Sequence, residues 1–192
     1  MPLILTAGPS VEPISLDEAK THCRIDTNTE DTLVSSLVLA ARLYMEHNLG
    51  LALIRQSWSL YLDAWPEKTY VELPLSPLID IDAIRVYGQS GTYTTIDPGQ
   101  FYIDTISRRP RLVREEGQSW PVPGRNANAV EIAFTAGYGE TADDVPMPIR
   151  QAIQLLIAHW YEEREPIVFG HDANTMPLTV ASLIQPYQAV KL

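Results

Sequence analysis

Hydrophobic and polar positions alternate along this chain with two periods, and the period changes twice. Between Asp31 and Asn48, the residues Leu33, Val34, Leu37, Val38, Ala41, Tyr44 and Met45 recur three and four apart, one face of an α-helix that ends before Gly50. Between Ala52 and Ala136 the runs shorten to alternating stretches at 57–62, 69–73, 79–87, 93–96, 101–104 and 111–113, separated by Gly, Pro, Asp and Asn. Val130, Ile132 and Phe134, with Glu131 and Ala133 between them, add a half-buried strand that Gly137 and Gly139 end. The helical period then returns in Ile149, Ala152, Ile153, Leu156, Ile157 and Trp160.

Local punctuation sharpens the boundaries. Ser15-Leu-Asp-Glu18 has the form of a capping box and predicts a short helix over 16–22, with a polar break from Asp26 to Glu30 behind it. Pro146 and Pro148 suit a first helical turn, where the missing N–H has no partner to lose, and Asp143 and Asp144 favour the positive end of the helix dipole. A long helix is therefore expected from near Pro148 until Glu165-Pro166, followed by an exposed loop over 169–175. In 177–187, Leu178, Ala181, Leu183 and Ile184 suggest one side of a short helix that Pro186 ends, with a tail from Tyr187 to Leu192. Gln89-Ser-Gly91 and Asp97-Pro-Gly99 are turn sequences that predict hairpins between neighbouring runs, and 121–128 reads as a looser surface loop.

These elements predict an α+β protein: a helical core over 1–51 and 140–192, a small antiparallel β unit inserted over 52–139, and a C-terminal tail. Both long helices carry more apolar surface than one buried stripe needs. Leu39 and Leu43 lie off the main stripe of the first, and Leu155 and Tyr161 widen that of the second. Either the chain's own segments or a neighbouring subunit covers them; the pattern leaves both readings open.

Composition narrows the classes. A content of 45% hydrophobic and 20% charged residues belongs to a globular protein, and no apolar run approaches the roughly 20 residues of a membrane-spanning helix. The N-terminal stretch lacks a basic leader, so synthesis in the cytoplasm is expected. With one cysteine, Cys23, the chain has no intrachain disulfide. A formal charge of -10 disfavours tight DNA binding, which needs cations facing phosphate, yet would let a duplex pass an acidic wall without sticking.

Candidate chemistry is sparse. Cys23 beside His22 has no third partner in sequence, and adjacent helical residues point about 100° apart. His47, His159 and His171 lack the spacing that places two ring nitrogens on one helical face. Asp80, Asp82 and Asp104 would have to gather in one pocket to serve an enzyme or glycan-binding site on the β unit; solvated strand faces explain them more simply. No glycine pattern for nucleotides is present, so no catalytic residue, metal or cofactor is assigned. Arg108, Arg109, Arg111 and Arg114 form the one basic cluster, a candidate for a salt-bridged subunit interface and, more weakly, for a DNA-packaging accessory role.

Several motifs in this order carry a family resemblance. They are Pro13-Ile-Ser-Leu-Asp-Glu-Ala-Lys20, Glu30-Asp-Thr-Leu33, Ala40-Ala-Arg-Leu-Tyr-Met-Glu46, Gln56-Ser-Trp58, Gly117-Gln-Ser-Trp-Pro121, Phe134-Thr-Ala-Gly-Tyr-Gly139, Val145-Pro-Met-Pro-Ile-Arg-Gln-Ala-Ile153 and His159-Trp-Tyr-Glu-Glu-Arg164. Over most of its length the chain resembles the head-to-tail connector, or adaptor, proteins of long-tailed bacteriophages and phage-like gene transfer agents. The resemblance implies a ring of copies, usually a dodecamer, under a portal protein and above a stopper or tail-terminator protein. It further implies that the genome passes through the hole without specific binding, and that the protein sits in the particle, outside any membrane, with no catalysis. It also points to the C-terminal segment for portal docking, through Pro177, Leu178, Leu183, Ile184, Pro186, Tyr187, Lys191 and Leu192. The chain departs from the family pattern there, since Gln188 follows Pro186-Tyr187 where a basic residue is usual. For a ring, Leu39, Leu43, Leu155, Tyr161 and the four arginines are the interface candidates, because a heterologous joint needs two different faces on each copy.

Overall fold

A computed structural model describes residues 1–163 and 177–188. The chain divides into two compact units: Met1–Ser10 with Gly50–Tyr138, and Val11–Leu49 with the described part of Gly139–Leu192. The first unit is built of strands, the second of helices, which makes the protein α+β.

In the helical unit, α1 (Leu16–Cys23), α2 (Asp31–Leu49), α3 (Met147–Glu162) and α4 (Leu178–Ile184) follow the sequence periods closely. The capping box forms: Ser15 Oγ accepts from the Glu18 N–H at 3.2 Å, and Glu18 Oε2 accepts from the Ser15 N–H at 2.8 Å. Pro146 caps α3 and Pro148 sits in its first turn, where neither proline costs a hydrogen bond. Helix α3 is central, packing on α1, α2 and α4. That position accounts for the breadth of its apolar surface, with Ile149, Ala152, Ile153, Leu156 and Ile157 buried. In α2 the inward stripe is Val34, Val38, Ala41, Met45 and Leu49. Leu33, expected on it, is exposed instead. The expected stop at Glu165-Pro166 and the loop over 169–175 lie outside the described residues.

The β unit holds β1 (Leu3–Ala7), β2 (Gln56–Leu62), β3 (Tyr70–Glu72), β4 (Leu78–Tyr87), β5 (Tyr93–Ile96), β6 (Phe101–Asp104), β7 (Arg111–Arg114) and β8 (Val130–Ala136). Five strands make one sheet in the order β1-β2-β8-β4-β5, and three make another in the order β3-β7-β6, every pairing antiparallel. Leu60, Leu62, Val71, Leu73, Ile81, Ile84, Leu112, Val130, Ile132 and Phe134 form their shared core.

The β unit departs from the sequence expectation in four places. The stretch 3–7 is a strand paired to β2, so the first ten residues join the β unit and not the helices. Its apolar run has no alternation to read, and its strand character comes from its partner. Gln89–Gly91 closes the β4/β5 hairpin as expected, but Asp97-Pro-Gly99 does not join paired strands. There the Asp97 carboxylate accepts from the Gly99 N–H at 2.9 Å and opens a 3-10 turn, Pro98–Gln100, that carries the chain from one sheet to the other. In β4 the alternation slips where Asp82 is an extra residue opposite β8, so Ile81 and Ile84 share the buried face. Finally, 121–128 is pinned. The Gly124 N–H donates to the Tyr87 carbonyl at 2.8 Å, and a Cβ on Gly124 would stand 2.9 Å from Gly88 Cα. Ahead of it, Trp65 and Trp120 stack at 4.5 Å, and their indole N–H groups donate to the carbonyls of Pro121 and Lys68.

Gly137, directly after β8, has φ 144°, and a Cβ there would lie 2.6 Å from Arg55 N and 2.7 Å from the Ile54 carbonyl carbon. Both neighbours are backbone and cannot swing aside. Gly137→Ala is expected to cost about 2 kcal/mol or more from strain and overlap, read as a lower denaturant midpoint at unchanged slope.

Candidate assembly surfaces

Several of the resemblance motifs in the helical unit meet one another in space, and charged side chains make most of the joints. Arg150 of α3 donates through Nε to the Pro13 carbonyl at 3.1 Å, through Nη2 to Glu18 at 2.6 Å, and through Nη1 to Asp143 at 3.0 Å. Glu18 thus serves both the α1 cap and this arginine. Its pKa lies below the usual carboxylate range, chiefly because of the Ser15 N–H bond, with Arg150 adding to the effect. Lys20 bonds Asn28 and Asp31 at 2.6 and 2.7 Å, fastening the α1–α2 turn. The Tyr161 hydroxyl donates to Glu30, and Trp160 packs edge-on against Tyr44 at 5.7 Å, which ties α3 to α2. Arg42 spans Glu12 at 2.7 Å and Glu46 at 2.8 Å from within α2, and it is almost fully buried. For the Arg42 network, the only local signal in the sequence is Glu46 four residues on.

The interface candidates fall into two groups. Leu39 and Leu43 are 43% and 51% exposed on α2. Their neighbours on the same open side are Thr32, Ser35, Ser36 and Ala40, so most of that helix face carries no charge. Leu155 and Tyr161, by contrast, are half-buried, and Tyr161 already has an intrachain partner in Glu30. The arginine cluster splits. Arg111 lies 3.6 Å from Asp104, donates to Ser107 and sits over the Tyr70 ring. Arg114 covers Trp120 and donates to the Gln118 carbonyl. These two fasten the smaller sheet, whereas Arg108 and Arg109 remain exposed in the β6–β7 loop, Arg109 within 3.8 Å of Glu72.

In the C-terminal segment α4 forms where the pattern suggested, but turned differently. Val180 and Ile184, one turn apart, are buried, while Leu178 is almost fully exposed. Ile184 is therefore held by its own chain and drops out of the docking set. Pro177, Leu183 and Tyr187 are half-buried and Pro186 is exposed. Lys191 and Leu192 lie outside the described residues.

No catalytic grouping forms among the described residues. Asp80 accepts from the neighbouring Ile81 N–H, Asp82 from the Thr135 hydroxyl, and Asp104 from Ser107, so the three carboxylates serve separate local bonds. No group of three or more His, Cys, Asp and Glu side chains is placed to hold a metal ion among them. Burial raises the Cys23 pKa and Glu162 raises it further, the reverse of what an activated nucleophile needs. The more apolar surface groove, about 440 Å³ between Leu62, Pro66, Tyr70 and Val71, gathers only Glu67, Lys68 and Glu72 as charged walls. No helix among the described residues is long and apolar enough to cross a membrane.

Residues 13–97 match the phage gp6-like head-tail connector protein family. No curated protein sequence matches the chain. Among solved structures, it is similar to a protein in the neck of an empty gene transfer agent particle computed with C6 symmetry, at 28% identity and TM-score 0.86. It is equally similar, at 28% identity and TM-score 0.84, to one in the virion of the native gene transfer agent particle. A third likeness, 26% identity and TM-score 0.81, is to a protein in the neck of the native particle computed with C12 symmetry. Each match covers 100% of this chain and 97% of the other. Over 13–97 by family and over its whole length by structure, the chain is similar to head-tail connectors and to proteins of gene transfer agent necks.

Proposed function

We propose that the protein is a ring adaptor at the capsid–tail junction, seated under the portal, that receives a stopper or tail-terminator protein and leaves a passage for DNA. The observation that carries this reading is the likeness over the full chain to proteins from particle necks computed with sixfold and twelvefold symmetry. Twelve copies suit both symmetries. The work is mechanical: copies hold one another and two partners, and no bond is made or broken. A charge of -10 fits a passage that lets phosphate slide by, since a wall that neither pairs with nor orders phosphate adds no friction of binding.

The uncharged side of α2 around Leu39 and Leu43 supplies one apolar face for a head-to-tail joint, and the C-terminal segment around Leu178, Leu183 and Tyr187, with Lys191 and Leu192, supplies portal contacts. Replacing both Leu39 and Leu43 with Glu is expected to leave thermal unfolding of the isolated chain nearly unchanged, because neither side chain is buried there. Ring formation on purified portal, scored by electron microscopy, is expected to be lost. Rings of normal yield would remove this face from the joint.

A further inference from the structure

The five-stranded sheet has two open ends, and both lack the usual protection. β1 is bonded only to β2, and β5 only to β4. Residues 1–11 and 88–96 contain no Asp, Glu, Lys or Arg side chain. Soluble proteins normally guard such edges with charge, especially lysine, because unpaired N–H and C=O groups template another strand. Apolar area is exposed at the same places: Ile4 at 50% and Leu5 at 46% on β1, Tyr93 at 55% on β5.

The register across the sheet says what would fit. Leu3, Leu60, Ile132, Ile84 and Ile96 stand directly opposite one another in turn, so a single aliphatic row runs from one edge to the other and ends in an aliphatic side chain at each. Because all four pairings between these five strands are antiparallel, β1 and β5 run in the same direction. A two-fold partner would pair β1 with β1 and leave β5 bare. A copy related by rotation about a ring axis brings its β5 alongside β1 in parallel, prolongs the row from Ile96 to Leu3, and on closure leaves no edge.

We propose that neighbouring copies in the assembled ring join by pairing β1 of one with β5 of the next, so that the five-stranded sheets run continuously around the passage. This rests on the ring reading given above, and adds a second joint to the one at α2. Backbone hydrogen bonds supply the attraction, and the match of aliphatic and polar sides sets the register.

The test uses the full chain assembled on purified portal, with Ile4→Cys and Thr95→Cys combined in a Cys23→Ser background and a short bismaleimide that tolerates a register shift of two residues. The expected result is a ladder of covalent multimers beyond the dimer in the double variant and none above background in either single variant. Rings visible by electron microscopy without that ladder would overturn the edge pairing and leave the adaptor role standing. Failure of the unmodified chain to form a ring on portal would overturn both. Should the double cysteine variant not fold, Thr95→Lys at the exposed β5 edge decides instead. It is expected to keep the unfolding midpoint of the isolated chain and abolish rings, and rings of normal yield would overturn the pairing.

Discussion

Glu131→Ala is expected to destabilise the β unit by about 3 kcal/mol, the usual cost of removing one partner from a buried ion pair. Glu131 is the second residue of the central strand β8 and is only 5% exposed. Its carboxylate accepts from Ser59 Oγ at 2.9 Å, Arg85 Nη1 at 2.9 Å and Tyr87 Oη at 2.7 Å, so β2, β8 and β4 are joined on the side of the sheet opposite the aliphatic core. Alanine would leave three donors facing a space with no acceptor. Burial alone would raise the Glu131 pKa, but the bonds from Tyr87, Ser59 and Arg85 outweigh it and hold the group below the ordinary carboxylate range. With the folded pKa below the unfolded one, this stabilisation is complete above the unfolded value and fades as pH falls through the folded value. Acid unfolding of the wild type is therefore expected to include a component that Glu131→Gln removes. The same bond pushes Tyr87 up to about 12, with burial adding to the effect. In Glu131→Gln the phenol is expected to return toward its ordinary value near 10, followed by ultraviolet titration of the phenolate. An unchanged Tyr87 titration would mean that the carboxylate charge is not what holds its proton.

Arg42→Ala is expected to cost about 4 kcal/mol in the helical unit, because the buried Glu46 carboxylate and Glu12 both lose the guanidinium that pairs with them. Lysine should recover only part of this. The guanidinium uses separate nitrogens, Nε for Glu12 and Nη1 for Glu46, and one ammonium on a flexible stem does not reproduce that fork. Replacing the α2 pair together, Arg42→Met with Glu46→Leu, is expected to restore most of the loss, since both buried charges of the pair are then gone. Equilibrium denaturation of the two single variants and the double variant checks this. Additive losses would mean that the ion pair is incidental to the stability of α2.

What was legible in the sequence was what neighbours along the chain decide. Ser15 and Glu18 are three residues apart and make their own cap, the prolines at 146 and 148 need only the first turn of α3, and the alternation of Val130, Ile132 and Phe134 needs only a sheet with one apolar side. What was not legible depends on partners far along the chain. β1 is a strand because β2 lies beside it, and Asp97-Pro-Gly99 is a link between sheets because β6 finds β7 before β5. Glu131 looks like the solvent position of an alternating strand, and only the arrival of Tyr87 and Arg85 from β4 makes it a buried anchor. In α4 the weak pattern suggested Leu178, Ala181, Leu183 and Ile184 on one side, whereas packing buries Val180 with Ile184. Among the assembly candidates, the excess apolar residues of α2 and α3 looked alike on paper. The fold separates them, because α3 is surrounded within its own unit while Leu39 and Leu43 on α2 stay open. The motifs that carry the connector resemblance include contacts that lock the helices, Arg150 with Pro13 and Glu18 among them.

Cryo-electron microscopy of the protein in its particle, at a resolution that traces side chains, tests the central claim most directly. The account predicts a closed ring of copies at the capsid–tail junction around an open passage, with Leu39 and Leu43 of each copy covered by the next. A junction holding this chain as a single copy, or a ring in which that side of α2 faces solvent on every copy, would contradict it.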